Sequence, residues 1–509
     1  MAAQEDIMSH SLKVEGTHEP PINQVQVDGE EELQEEELLT LTDLPEVALV
    51  RVMEYLNLKE RYYLSLTCHL FYDLFSHPKL WQAAHISLMP VGHVGRNRLR
   101  WKLVSVMHQT MGEIVKRFSH LFQHLTLQMS GYVQKFDANC LQMLEDLNIE
   151  CRLESLTLIM GSLTSKDDSV RREAEIYSNI KDIPLVVGLV RNAVRLKQLN
   201  LISWPLFKEL SDSSDIFQAI VENSKLQSVE SFNFFFLNKR EGSWTERIPQ
   251  LPSPETATRV ISSLINLQHL ALRSPMLSDD LLVMLASRRR RKLESLQILV
   301  MFSHDSMYVD GLKIPDISSS AWAALKTASP NLKVECFVVT RMPEEQLSLM
   351  LNQELPLHAL SIRNYGRCDG VLIRSLAEKF HATLRKFVSL CDSSDCDESL
   401  LYLVDHCKHL RHVTYHGQLS HRTVVKISEL IKKKGQGWEC LEVQEKSIKT
   451  DDVAEDEDED LAVARDAKSQ EYYIVSLRRW HEDGDDRQKK LDRMVEVVSE
   501  NLGFAWRPV

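Results

Sequence analysis

The side chains best equipped for chemistry cluster in one run: His406, Cys407, His409, His412 and His416. Imidazole and thiolate are zinc's preferred ligands, and four converging on one point would hold the ion tetrahedrally. The phasing argues against convergence. Val413 and Tyr415 alternate with His412 and His416, so in an extended segment the two histidines take the opposite face. His406 and Cys407 instead close the helical stretch before it. No metal is expected. Cys391 and Cys396 lack zinc spacing and read as packing or surface thiols. The chain has no phosphate loop, GxSxG or HExxH, so neither catalysis nor a cofactor is expected. The basic run Arg288 to Lys292 reads first as a solvated turn, then as a nuclear import signal or a patch for an acidic ligand.

The elements that position these residues are announced by a recurring phrase, apolar-x-x-apolar-x-apolar. It starts at Phe122, Leu153, Leu196, Val229, Leu267, Leu293, Leu357, Leu410 and Trp438, with weaker copies at Leu332 and Leu384. Start-to-start gaps run from 25 to 43 residues. The late ones fit a leucine-rich repeat of about 20–29 residues, and the early ones carry insertions. Helix signals fill the gaps. Ser278 caps Asp279-Asp280 and a Leu281, Leu282, Leu285 stripe; Pro343 opens another helix; Ser420 precedes Val424, Ile427 and Ile431. Strand followed by helix, repeated, stacks into a solenoid with strands on the concave side. The asparagine usual after the phrase is missing: Trp204, Pro275 and Met301 stand there.

Period-two phasing then places His124, His269, Arg273, Arg363, His412 and His416 on the concave face, among polar fillers such as Thr126, Gln128, Thr157, Gln198 and Asn200. Because arginine grips phosphate in a bidentate way, this face is expected to favour an anionic or phosphorylated segment of a protein substrate.

Ahead of the repeats lies Leu44 to Trp81. Leu44-Pro45 starts a helix at a position where a missing N–H costs nothing. Leu49, Val52, Met53 and Leu56 make a first stripe, Tyr63, Leu64 and Leu66 a second, and Leu70, Phe71, Leu74 and Phe75 a third, stopped by Pro78. Three helices in so few residues cannot bury that much apolar surface on one another. A partner chain is expected to cover the remainder.

This stretch resembles an F-box: Leu-Pro, then apolar residues seven, eight and eleven places after the proline, an aromatic at Phe71 and a closing Leu80-Trp81. Departures are Val47 where an acid is usual, Thr67 and His69. The resemblance implies docking onto the adaptor Skp1, and through it a cullin–RING ligase, by Leu44, Pro45, Leu49, Val52, Met53, Leu56, Leu64, Leu66, Phe71, Leu80 and Trp81. The layout, F-box first and irregular repeats after, resembles the F-box-only proteins thirty-three and thirty-nine. The fold class expected is an α/β solenoid: an N-terminal three-helix F-box, an irregular leucine-rich-repeat horseshoe and a C-terminal helical cap. Such a protein is a substrate-recognition subunit of an SCF-type ubiquitin ligase, or a scaffold that binds Skp1 without ubiquitin transfer.

Composition sets the remaining bounds. The net charge is −13, but Glu30–Glu37 and Asp451–Asp460 hold 14 acids between them, so the rest sits near +1. That near-neutral remainder disfavours nucleic acid as a partner. Nine cysteines without a CxxC pair fit free thiols in a reducing compartment. The opening MAAQEDIMSH lacks signal-peptide design, and no apolar run reaches the roughly 18 residues of a membrane span. The chain is expected to be soluble, in cytoplasm or nucleus. Expected divisions are a disordered acidic tail (1–40), the F-box (41–86), a helical linker (87–121), the solenoid (122–448), an acidic disordered insertion (449–469) and a helical end (470–509). In the last, Leu491, Met494, Val495, Val498 and Leu502 share a face and Gly503 ends the helix.

Overall fold

A computed structural model describes residues 41–56, 58–88, 98–129, 138–150, 152–160, 183–202, 215–234, 252–300, 315–339, 350–363, 368–391, 396–435, 437–449, 484–502 and 505–509, with Trp204, Leu347 and Ser393. Residues 1–40, both acidic runs, Pro343 and Met301 lie outside them. The chain divides into two compact units, 1–55 and 56–509.

In the first unit a 3-10 turn, Leu41–Asp43, leads into α1 (Glu46–Tyr55). The Ala48 and Leu49 N–H groups donate back to Pro45 O at 2.8 and 3.1 Å. Glu46 lies in the first turn, where the helix dipole favours an acid. Leu49, Val50 and Met53 are buried.

The second unit opens with α2 (Leu58–Ser65), α3 (His69–Phe75) and a 3-10 turn at Pro78–Trp81. Strands and helices then alternate: β1 (Ala83–Leu88), α4 (Arg98–Phe118), β2 (His124–Met129), α5 (Ala138–Glu150), β3 (Ser155–Met160), α6 (Ile183–Arg191), β4 (Gln198–Ile202), α7 (Ile216–Glu222), β5 (Ser231–Asn233) and α8 (Pro254–Ser263). They continue as β6 (His269–Arg273), α9 (Asp279–Leu285), β7 (Ser295–Val300), α10 (Ser319–Ala328), β8 (Lys333–Val338), β9 (Leu357–Ile362), α11 (Gly370–Phe380), β10 (Lys386–Ser389) and α12 (Asp397–His406). The chain ends with β11 (His412–Tyr415), β12 (Leu419–Ser420), α13 (His421–Lys434), β13 (Cys440–Val443), β14 (Ile448–Lys449) and α14 (Gly484–Leu502).

Strands β1 to β11 and then β13 form one 12-stranded sheet in sequence order. Each neighbouring pair is parallel, so each repeat contacts the next, as in a solenoid. All eleven phrases fall on strands. The twelfth, β1, is a departure: it pairs in register with β2, so the sheet begins near residue 83 rather than 122. Residues 87–121 are therefore no linker, and α4 is the first repeat's helix. Ala84 stands where the phrase has its middle apolar residue, which hid the strand.

Register explains the core. Leu125, Leu156, Leu199, Phe232, Leu270 and Leu296 lie side by side across six strands, each no more than 2% exposed. Each such burial contributes about 1.5–3 kcal/mol.

Helix ends are tied from one repeat to the next. The Asp279 carboxylate, in the first turn of α9, accepts from the Ser318 N–H at 2.9 Å. Asp397, in α12, does the same for Ser420 at 2.8 Å. At the other ends, Asn223 Nδ2 donates to Val190 O and Ala193 O beyond α6, and Lys434 Nζ donates to Val404 O and Cys407 O at the end of α12. Val190 and Val404 lie in the last turns of their helices, where carbonyls lack an intrahelical partner.

The last strand's edge is also covered. Trp506 Nε1 donates to Leu441 O at 2.6 Å. The Val509 N–H donates to Val443 O, and the Glu445 N–H to Val509 O, both at 2.9 Å. Asn501 of α14 donates to Ser428 Oγ of α13 at 3.0 Å. Among the described residues no helix is long and apolar enough to cross a membrane.

Candidate functional site

Two surfaces compete for attention: the apolar side chains ahead of the repeats and the outward face of the sheet.

Ten of the seventeen exposed large apolar side chains among the described residues lie between Leu41 and Tyr72; the other seven are scattered singly. Single exposed apolar residues are ordinary, whereas a concentration marks an interaction surface. In the first unit these are Leu41, Leu44, Val47, Val52 and Tyr55, the third and fifth each 78% exposed. In the second unit they are Tyr62, Tyr63, Leu66, Leu70 and Tyr72.

The residues implied by the F-box resemblance therefore separate. Leu44, Pro45, Val52 and Leu66 are exposed, and Leu56 and Leu64 half-buried. Leu49, Met53, Phe71, Leu80 and Trp81 are buried and offer no contact area to another protein. Theirs is a supporting role. Helical spacing identifies a stripe but not which part of it the chain itself covers. Val47, Tyr55 and the tyrosines Tyr62 and Tyr72 were passed over for that reason.

The support is specific. Trp81 stacks on Phe118 of α4, ring centroids 4.1 Å apart and planes 4° from parallel. Its Nε1 donates to Phe75 O at 2.7 Å, and its ring meets Phe75 edge-on at 4.9 Å. Arg61 donates to Leu56 O at 2.9 Å and to Leu80 O at 2.5 Å. Arg117 donates to Ser76 Oγ at 2.9 Å. Helices α2 and α3 are thus joined directly to the first repeat.

On the sheet's outward face, His124 and His269 are exposed and share one register row with Ser155, Gln198, Ser231 and Ser295. Hydroxyl and amide groups bond across strands: Ser155 Oγ to Gln198 Oε1 at 3.0 Å and Asn200 Nδ2 to Thr157 Oγ1 at 2.8 Å. Outward positions of β2 to β6 carry no carboxylate.

Arg273 does not join this surface. It is 2% exposed, and its register partner Leu299 is 3% exposed, so the end of this row is covered. Burial alone lowers the Arg273 pKa to about 10. Arg363 is exposed just past β9, its N–H on Val338 O at 2.9 Å. The two arginines stand three strands apart, about 14 Å, too far to grip one phosphate.

The histidine and cysteine run does not converge either. His406 stacks on Tyr402 at 3.7 Å. Cys407 is fully buried, and burial pushes its thiol up to about 12. His412 Nε2 lies 3.2 Å from Thr414 Oγ1, and His416 Nε2 lies 2.9 Å from Glu442 Oε1. Among the described residues no group of three or more His, Cys, Asp or Glu could hold a metal. The eight described cysteines are free.

The basic run has a structural member. Arg290 donates to Ile261 O, Ser262 O and Leu264 O at 2.9, 3.0 and 2.5 Å, closing the end of α8. Arg291 pairs with Glu230 at 3.1 Å. Only Arg288, Arg289 and Lys292 fit the solvated turn that the spacing suggests.

Comparison with known proteins bears on both surfaces. Residues 41–83 match the F-box domain family. The chain is 21% identical over 378 residues to F-box/LRR-repeat protein 21 of Bos taurus, across 73% of this chain and 76% of that protein. The Mus musculus protein of that name is 22% identical over the same shares. F-box/LRR-repeat protein 8 of Bos taurus is 30% identical over 145 residues, 28% of this chain and 37% of that one. Among solved structures, the TLR13 chain of a TLR13–ssRNA13 complex is similar at 12% identity and a TM-score of 0.27, over 63% of this chain and 47% of that one. An overlap so low carries no argument. None of these is one of the F-box-only proteins that the layout resembles, and that finer likeness stays a proposal. The chain carries an F-box at residues 41–83, followed by a solenoid of the leucine-rich-repeat kind.

Proposed function

We propose that this protein is a substrate-recognition subunit of an SCF-type ubiquitin ligase. It makes and breaks no bonds. Its F-box holds Skp1, and through it a cullin–RING assembly, while the solenoid holds a target protein. Tethering raises the target's effective concentration beside the ubiquitin-loaded enzyme. Residency in cytoplasm or nucleus belongs to the same reading, and the eight free cysteines support it.

The observation that carries the proposal is the concentration of uncovered apolar side chains within the matched residues 41–83. Val52 and Leu66, 40% and 62% exposed, represent the two units. Val52→Glu and Leu66→Glu, placed in one chain, are expected to abolish Skp1 capture without lowering the melting temperature. Wild type should recover Skp1 and a cullin together. Capture of Skp1 without a cullin would leave the scaffold reading instead, and capture undiminished in the double variant would defeat both.

A further inference from the structure

The sheet has two ends, and they are finished differently. At the last strand the chain supplies its own cover. The Val509 N–H donates to Val443 O, and Val509 O accepts from the Glu445 N–H, both at 2.9 Å. That is the pair of bonds a neighbouring parallel strand makes. Trp506 anchors this tail through Leu441 O. At the first strand, β1, the described residues supply no such cover.

The ladder shows which groups β1 leaves over. The Gln123 and His124 N–H groups both donate to Gln82 O at 2.8 Å. From there β1 runs beside β2 without a register shift, from the Ala83–His124 pair to the Leu88–Met129 pair. In a parallel ladder, alternate residues turn both backbone groups to the same neighbour. Ala84, Ile86 and Leu88 therefore face β2, whereas Ala83, His85 and Ser87 aim their N–H and C=O groups away from it. Among the described residues nothing bonds to those outward backbone groups. Ala83 and His85 are exposed and Ser87 is half-buried.

Proteins ordinarily blunt such an edge with a charge, a proline or a bulge. The β1 sequence, AAHISL, has no acid, lysine, arginine or proline, and its pairing with β2 has no bulge. Its inward side is already finished, because Ile86 and Leu88 are 1% and 0% exposed. A second copy of this chain would thus find no apolar layer to bury here, and a strand pair alone falls short of the roughly 1,200 Å² that stable interfaces cover. A single extended segment needs only backbone partners, and the tail on β13 shows this sheet accepting one.

We infer that the free edge of β1 is a β-augmentation site, which takes one uncharged extended segment of the captured target protein as an added strand. The inference rests on the substrate-receptor reading for the source of that segment. Main-chain bonds supply the affinity, and side chains at alternate positions supply the selection. Beside the incoming strand the outward side chains are small or polar: Ala83, Ser87, and His85, whose Nε2 lies 3.3 Å from Gln128 Oε1. Hydroxyl-bearing residues on that side suit them, and a proline would forfeit a backbone donor.

The probe is fluorescein-labelled Lys-Thr-Val-Thr-Val-Thr-Lys amide, its terminal lysines keeping it monomeric, titrated with the full chain and followed by anisotropy. Wild type should bind it saturably, and the same peptide with N-methylated inner amides at least tenfold more weakly. His85→Pro deletes an N–H from the free edge, where proline is tolerated. It should weaken binding at least tenfold with an unchanged melting temperature, while His85→Ala, which keeps that N–H, should bind as wild type does. Ile86→Pro deletes an N–H from the β2 ladder and should lower the melting temperature. Equal loss of stability in the two proline variants would show the His85 N–H to be engaged already, and overturns the inference. So does undiminished binding by His85→Pro or by the methylated peptide. Wild-type dimerisation in sedimentation that His85→Pro abolishes overturns it in favour of a second copy. Skp1 capture is scored in parallel on the same proteins. Its absence in wild type would sink the receptor reading alone, whereas its retention beside a failed titration would sink the edge site alone.

Discussion

Trp81 and Phe118 lie ring on ring, 4.1 Å apart, and this pair joins the F-box to the solenoid. Phe75 closes on both rings edge-first, at 4.9 and 6.0 Å. The arrangement makes α2, α3 and the first repeat one packed body. Phe118→Ala is expected to cost about 3–5 kcal/mol, the range for emptying an aromatic site in a core. Urea unfolding followed by tryptophan fluorescence measures it. A loss below 1 kcal/mol would show that the junction is loose.

Arg290 satisfies three carbonyls at the end of α8 from a position 26 residues beyond Leu264. Removing a charged donor from such groups costs about 1.5–3 kcal/mol. Arg290→Ala should therefore destabilise by that amount, whereas Arg288→Ala and Arg289→Ala, both exposed, should stay within about 0.5 kcal/mol. Thermal melts of the three variants separate them. Equal effects would return the whole run to the status of a solvated turn.

Gly188, inside α6, leaves room for Asn148 of α5. A Cβ there would stand 2.6 Å from Asn148 Oδ1. Asn148 is not free to swing away, because its Nδ2 donates to Leu144 O and Leu185 O, both at 2.8 Å. Gly188→Ala should thus destabilise, despite alanine's helix advantage of about 1 kcal/mol. Once Asn148→Ala has emptied the space, the same substitution should stabilise. A double-mutant cycle reads this reversal of sign directly. Additive effects would mean that the two residues do not touch in solution.

The contrast between what the sequence disclosed and what it concealed follows from range. Leucine phrases are local, and alternation along five residues dictates an inward face, so eleven of the twelve strands of the sheet were legible before any coordinates. The exception, Ala83–Leu88, puts Ala84 where a leucine would have announced it. Parity along β6 predicts an outward Arg273, yet the residue is 2% exposed. Whether anything covers that side depends on distant residues, and there parity is silent. Met53 and Val52 illustrate the same limit on α1, one buried and one exposed within a single stripe. Arg290 was out of reach because its partners are fixed by a neighbouring repeat.

Two depressed histidines, His358 and His412, give the start of strands β9 to β11 a pH signature. An ordinary histidine titrates near 6.5. His358 faces Arg385 and Lys333, with Glu439 opposing them; His412 faces Lys386, with Glu439 and Glu442 opposing it. Because both folded values fall below the unfolded one, the unfolded chain binds more protons as pH drops through 6.5. Proton uptake then favours unfolding. The contribution of these residues to stability is complete above that pH and is lost as pH falls through the folded values. His358→Gln and His412→Gln should each flatten the decline in urea midpoint between pH 7.5 and 5.5. Lys386→Gln should flatten it too, by relieving one cause of the His412 depression while leaving both rings in place. If the three variants decline as steeply as wild type, the cations on β8 to β11 do not act on these imidazoles.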